Sequence, residues 1–134
     1  MWVRCGALVA VMSWLLPGLA RYGLRIVDFS ILSVIGHNPG ITSRQLCDTL
    51  NLLPPNLVGK IGALEKRALL LRHPHPQDGR ALGLRLTGEG RALLTSAEST
   101  VAEMESAATG ALTAAERRTL IRLLQKVADG VHKP

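Results

Sequence analysis

The sequence predicts a mainly α-helical domain carrying one small β-hairpin. Three observations lead there. Apolar residues recur at helical spacing along most of the 134 residues. Leu and Ala dominate a composition that is 47% hydrophobic and only 3% aromatic, as helical proteins do. One stretch breaks the helical pattern: PHPQDG holds the hairpin signal Asp78-Gly79, and after it Leu82, Leu84 and Leu86 alternate with Ala81, Gly83 and Arg85.

Taken in order, the chain opens on MWVRCGALVAVMSWLLPGLA. Its early Arg4, apolar run and Gly18-x-Ala20 have the look of a secretory signal. The run from Cys5 to Leu16 is too short to span a bilayer. The favoured reading is a first helix with Leu8, Val11, Met12, Leu15, Leu16 and Leu19 on its apolar side, bent or ended by Pro17. Removing it would expose the apolar faces of later helices. Arg21 to Leu24 reads as a turn, and IVDFSILSVIGH, from Ile26 to His37, as a buried helix stopped by Asn38-Pro39-Gly40.

Ile41 suits a short edge strand, and Thr42-Ser43-Arg44-Gln45 is a capping box. The helix it starts buries Leu46, Cys47 and Leu50. After the turn Asn51-Leu52-Leu53, the pair Pro54-Pro55 opens a helix running to about Arg67; proline suits a first helical turn, where an N–H has no partner. Its inner face is Leu57, Val58, Ile61 and Leu64, with Asn56, Lys60 and Ala63 on another face. Two such helices joined by a short turn make a helix-turn-helix. Ala68 to His73 is a strand, PHPQDG a turn, and Leu82 to Leu86 the returning strand with one buried face. Thr87 caps a long helix from Gly88 to about Ala108, with Leu93, Leu94, Ala97, Val101 and Met104 in its apolar stripe. Thr113 and Glu116 form a second capping box, and Gly130 ends the last helix. The terminal helices carry more apolar surface than so small a module needs, which implies a second subunit.

The charge is +6, from 16 Lys and Arg against 10 Asp and Glu. A basic balance favours polyanions and sets no fold. The cations gather beside the helix-turn-helix: Lys60, Lys66, Arg67, Arg72, Arg80, Arg85 and Arg91, with only Glu65, Asp78 and Glu89 opposing them. DNA phosphates reward such a patch through counterion release. A helix fits the major groove, and a guanidinium at a hairpin tip fits the narrow minor groove. Arg80 sits at that tip, with Asp78 placed to hold it. Asn56, Lys60, Arg72, His75, Asp78 and Arg80 are therefore the candidate DNA-binding residues. The competing reading makes Asp78–Arg80 a turn-stabilising pair and the lysines a solvated face.

These residues also carry a resemblance. LEKRALLLRHPHPQDGRALGLRLTGEGRALL, with Asp78-x-Arg80 and Leu86-Thr87-x-x-Gly90, and the preceding ITSRQLCDTLNLLPPNLV resemble the MarR family of bacterial transcriptional regulators, over about Tyr22 to Val127. The resemblance implies a winged helix-turn-helix with N- and C-terminal dimerisation helices: one domain over 1–134, with about 26–87 reading DNA and about 1–25 and 88–130 pairing two copies. It implies a homodimer on a palindromic operator, released by small, often phenolic ligands. Trp14, Tyr22, Phe29 and His37, near the first two helices, are the candidate liners of a site for an aromatic or apolar effector; Phe29 equally suits the core. The sequence departs from the family at Gly59, Gly62 and Ala63, where an Arg and polar residues are usual, and at Ala68, where a Gly follows the helix.

Other classes find little support. Cys5 and Cys47 form no CxxC pair, which excludes a disulfide scaffold and a cysteine zinc site. Cys47 reads as a small core side chain, and Cys5, beside Arg4 alone, as an inert thiol. His73-Pro74-His75 lacks a third metal ligand and reads as polar turn residues that gain charge at lower pH. No nucleophile–base pair, paired carboxylates or phosphate loop marks an enzyme, and no cofactor is expected. A cytoplasmic location is expected, with double-stranded DNA, a second copy and a small aromatic or apolar effector as partners and no membrane. The alternatives are a winged-helix module binding protein instead of DNA, and a secreted or membrane-associated protein with an N-terminal signal.

Overall fold

The computed structural model describes residues 17–75, 79 and 81–132. Cys5, Trp14, Asp78 and Arg80, and the apolar run to Leu16, lie outside them. Two compact units follow one another, divided between Val101 and Ala102.

Residues 17–20 are helical, and the bend or end expected at Pro17 of a helix before it lies outside the described residues. Leu24 N–H reaches back to the Leu19 carbonyl over a turn with Gly23 at φ +67°. Helix α1 is Ile26–His37, strand β1 Ile41–Thr42, α2 Ser43–Leu50, α3 Pro54–Lys66, β2 Leu70–Pro74, β3 Leu82–Leu86, α4 Gly88–Ala108 and α5 Ala114–His132. The sheet is antiparallel in the order β1-β3-β2, with Ile41 opposite Leu84 and Leu70 opposite Leu86.

The predicted caps form as local hydrogen-bonding patterns. Gln45 N–H donates to Thr42 Oγ1 at 3.2 Å while Thr42 N–H donates to Gln45 Oε1 at 3.0 Å, and Thr113 and Glu116 repeat the exchange at 3.1 and 2.9 Å. The core of the first unit is Leu19, Ile31, Leu32, Ile35, Leu46, Leu57, Ile61, Leu64, Leu84, Leu94 and their neighbours. Cys47 belongs to it; burial, then Asp48, pushes its thiol up, so it stays protonated and unreactive. Leu50 is only half-buried.

Four expectations need correction. Val58 does not join the inner face of α3 but is 63% exposed, because it sits about 100° round the helix from Leu57. Leu82 is exposed while Leu84 is fully buried: the alternation holds near α1 and lapses toward the tip. Gly130 does not end α5, which continues to His132; a lone glycine weakens a helix by about 1 kcal/mol without stopping it. The strand starts at Leu70, not Ala68, because residues 67–69 close α3. Ala68 N–H bonds the Glu65 carbonyl and Leu69 N–H the Leu64 carbonyl, with Ala68 at φ +58°. This is the left-handed closing turn that glycine usually makes.

Ala68 therefore sits in backbone space that its Cβ disfavours. Asn51, at φ +53° after α2, is a residue that tolerates the same space. Ala68→Gly is expected to raise the urea midpoint, by about 1 kcal/mol of stability. A lower midpoint would mean that the turn is not strained.

The junction of β3 and α4 explains Leu86-Thr87-x-x-Gly90. Thr87 N–H donates to the Leu69 carbonyl at 3.1 Å, and its hydroxyl donates to the Ala68 carbonyl. Gly90 N–H donates to Thr87 Oγ1 at 3.0 Å. Gly90 is buried against the Leu69 carbonyl, which a Cβ would overlap.

Candidate nucleic-acid interface

Helix α3 follows α2 after a short turn and carries the face that the sequence assigns to DNA. Leu57, Ile61 and Leu64 anchor it in the core. The opposite side presents Pro55, Asn56, Val58, Gly59, Ala63 and Lys66, all exposed, with Lys60 half-buried at its flank. A Cβ at Gly59 or Gly62 would meet nothing within 4 Å, so these glycines leave the helix backbone open to a close neighbour.

The structure separates the basic residues that the sequence grouped. Arg67 does not extend the patch on α3. Its guanidinium donates to the carbonyls of Gly23 and Tyr22, both at 2.9 Å, tying the end of α3 to the turn before α1. Arg72, on β2, is held by Glu65 of α3: Nε donates at 2.8 Å and Nη2 lies 2.7 Å from the same carboxylate oxygen. Both side chains are about one-third exposed, and the pair fixes the wing's first strand beside α3.

Arg85 does more than solvate its strand. Its Nε–H donates to His73 Nε2 at 2.8 Å, and His73 Nδ1 lies 3.1 Å from the Pro74 carbonyl. An imidazole that accepts at Nε2 has Nδ1 left as its donor, the nitrogen that faces the Pro74 carbonyl. His75 N–H donates to the Ala81 carbonyl at 3.0 Å, closing the hairpin's base. The same residue borders a shallow groove of about 620 Å³ with Asn38, Gln45, Asp48 and Thr49. Asn56 and Lys60 thus share α3, Arg72 stands beside it, and His75 lies on the groove below the hairpin tip. Among the described residues, no three His, Cys, Asp or Glu gather to hold a metal ion.

The candidate effector residues divide. The Tyr22 hydroxyl lies 2.6 Å from Thr100 Oγ1 and donates to the Ser96 carbonyl at 3.2 Å. Arg21 covers the Tyr22 ring at 5.3 Å and donates to Thr100 Oγ1 at 3.1 Å. His37 Nε2 lies 3.0 Å from Glu98 Oε1. Tyr22 and His37 therefore both meet α4, two residues apart along it, whereas Phe29 packs against the core. Arg21, Glu98 and Thr100 complete this region. Sequence reading passed over them because their partners lie more than sixty residues away.

Comparison with known proteins gives a consistent answer. The MarR family model matches residues 22–81. The chain is 29% identical over 111 residues to an HTH-type transcriptional repressor of Mycobacterium tuberculosis, covering 83% of this chain and 80% of that one. Among solved structures it is similar to the transcriptional repressor CouR bound to a 23-mer DNA duplex: 34% identity, a TM-score of 0.85, and 95% and 90% of the two chains covered. It is also similar to the PcaV transcriptional regulator from Streptomyces coelicolor in complex with its natural ligand, at 27% identity and a TM-score of 0.72, covering 81% and 77%.

Proposed function

Since the chain belongs to the MarR family of transcriptional regulators, we propose that it is a cytoplasmic repressor whose homodimer binds a palindromic operator in double-stranded DNA and lets go when a small aromatic or apolar molecule binds. One observation carries the reading: α3 is anchored by one face and exposes the other, beside a hairpin fixed to it by Glu65–Arg72. The net charge of +6 and the likeness to CouR on its duplex support it. Among the described residues, no helix is long and apolar enough to cross a membrane.

In this reading residues 26–87 read DNA. Asn56 and Lys60 enter the major groove, Arg72 and His75 approach the backbone, and Arg80, steadied by Asp78, enters the minor groove. Residues 1–25 and 88–130 join the two copies, and α5 supports this with Leu120, Ile121, Leu123, Leu124 and Val127 all exposed. The effector site takes Trp14, Tyr22, His37 and the edge of Phe29. The likeness to PcaV with its natural ligand supports such a site. The effector acts by preferring the state that does not fit DNA.

Selection from a random duplex pool tests the reading: it should enrich a palindrome with two half-sites about one helical turn apart. Affinity for that duplex should fall by about a thousandfold between roughly 50 and 200 mM salt. Arg80→Ala should weaken it about tenfold to a hundredfold at fixed salt. A flat salt response, or an Arg80→Ala variant that binds like the parent, would remove the wing from the interface. Compounds that raise the melting temperature should also release the duplex in a gel shift.

A further inference from the structure

Helix α3 carries no guanidinium, the planar fork that reads guanine: from Pro54 to Lys66 it contains no arginine. The two nearest guanidinium groups are committed, Arg67 to the Tyr22 and Gly23 carbonyls and Arg72 to Glu65. On the helix itself Lys60 and Lys66 suit guanine, and Asn56 can make a two-pronged contact with adenine. On the other flank of the helix stands Val58, 63% exposed. Its successors along the same flank at i+4 and i+7 are Gly62 and Glu65. Gly62 has no side chain, and nothing lies within 4 Å of where its Cβ would be, so it gives Val58 no apolar cover. A β-branched residue there also lowers helix propensity. Folding therefore gains nothing from valine at this position, whereas the major groove offers one apolar feature, the C5-methyl group of thymine.

We infer that Val58 is a specificity-determining residue whose isopropyl group seats against the C5-methyl of a thymine in each half-site. The inference rests on the proposed DNA binding and assigns it one base preference: an A·T pair in each half-site, through a methyl contact at Val58. The open backbone at Gly59 and Gly62 lets the helix come close enough for so short a side chain to reach a base edge.

The test uses the duplex recovered from the random pool. Each thymine is replaced in turn by deoxyuridine, which removes one methyl and leaves every hydrogen-bonding group in place. At one symmetry-related pair of positions, the full-length parent should lose about fourfold in affinity per methyl removed, the equivalent of one buried methyl group. Val58→Ala should bind thymine and deoxyuridine duplexes alike there, while Val58→Thr, which keeps one methyl, should retain most of the discrimination. Neither variant should melt below the parent, because the side chain is exposed and alanine favours the helix. A scan that is flat in the parent, or a thymine preference that survives Val58→Ala, overturns the inference and leaves DNA binding standing. A parent that holds no duplex even at low salt overturns both.

Discussion

Gly90→Ala is expected to lose about 3 kcal/mol or more of stability, enough to unfold much of the chain at temperatures the parent tolerates. A methyl at this position runs into the carbonyl oxygen of Leu69, and that carbonyl is not free to retreat. It accepts Thr87 N–H, while Leu69 N–H is bound to Leu64. Moving it breaks the turn that closes α3 and the junction that starts α4 together. Gly88→Ala, two residues earlier, is the control, since nothing lies within 4 Å of its would-be Cβ. It should be neutral or slightly stabilising. Urea unfolding followed by circular dichroism separates the two; equal midpoints would show that Gly90 is not a packing requirement.

Glutamate at Ile121 or Leu124 is expected to turn the proposed dimer into monomer at micromolar concentration. The two side chains are 67% and 59% exposed on α5, and with Leu120 and Val127 they make an apolar stripe at i, i+1, i+4 and i+7. Burying an unpaired carboxylate in an interface costs on the order of 3–5 kcal/mol, and symmetry applies the cost twice. The same substitution on an exposed helix leaves the single chain folded, so helical signal should persist while sedimentation reports half the mass. Affinity for the palindrome should fall with it. A dimer that survives both substitutions must be built elsewhere.

What the sequence revealed depended on the reach of each interaction. The caps at Thr42–Gln45 and Thr113–Glu116 span three residues, so the sequence shows both partners at once. The start of α4 at Gly88 was legible for the same reason, and so was the helix-turn-helix, whose two helices are joined by a short turn. Long-range pairings left no mark: nothing in Arg67 announces Tyr22 and Gly23, and nothing in Tyr22 announces Thr100. Val58 and Leu82 were misplaced because apolar character was read as burial, and the register of each element decides that instead. Ala68 was read as a strand residue, although the departure from glycine was visible; its positive φ needs the three-dimensional closure of α3. Asp78 and Arg80, the sharpest motif in the sequence, rest on spacing alone.

The strand order has a further consequence for how copies of the chain meet. With β3 in the middle, the exposed edges belong to β1, only two residues long, and to β2, which ends in Pro74 and carries Arg72 and His73. Proline withholds a backbone donor, and short, charged edges are poor templates for strand addition. The sheet is therefore protected from growing into a neighbouring copy. The proposed pairing of two copies is then a matter for helical side chains, which fix a partner's number and orientation as an open strand edge does not.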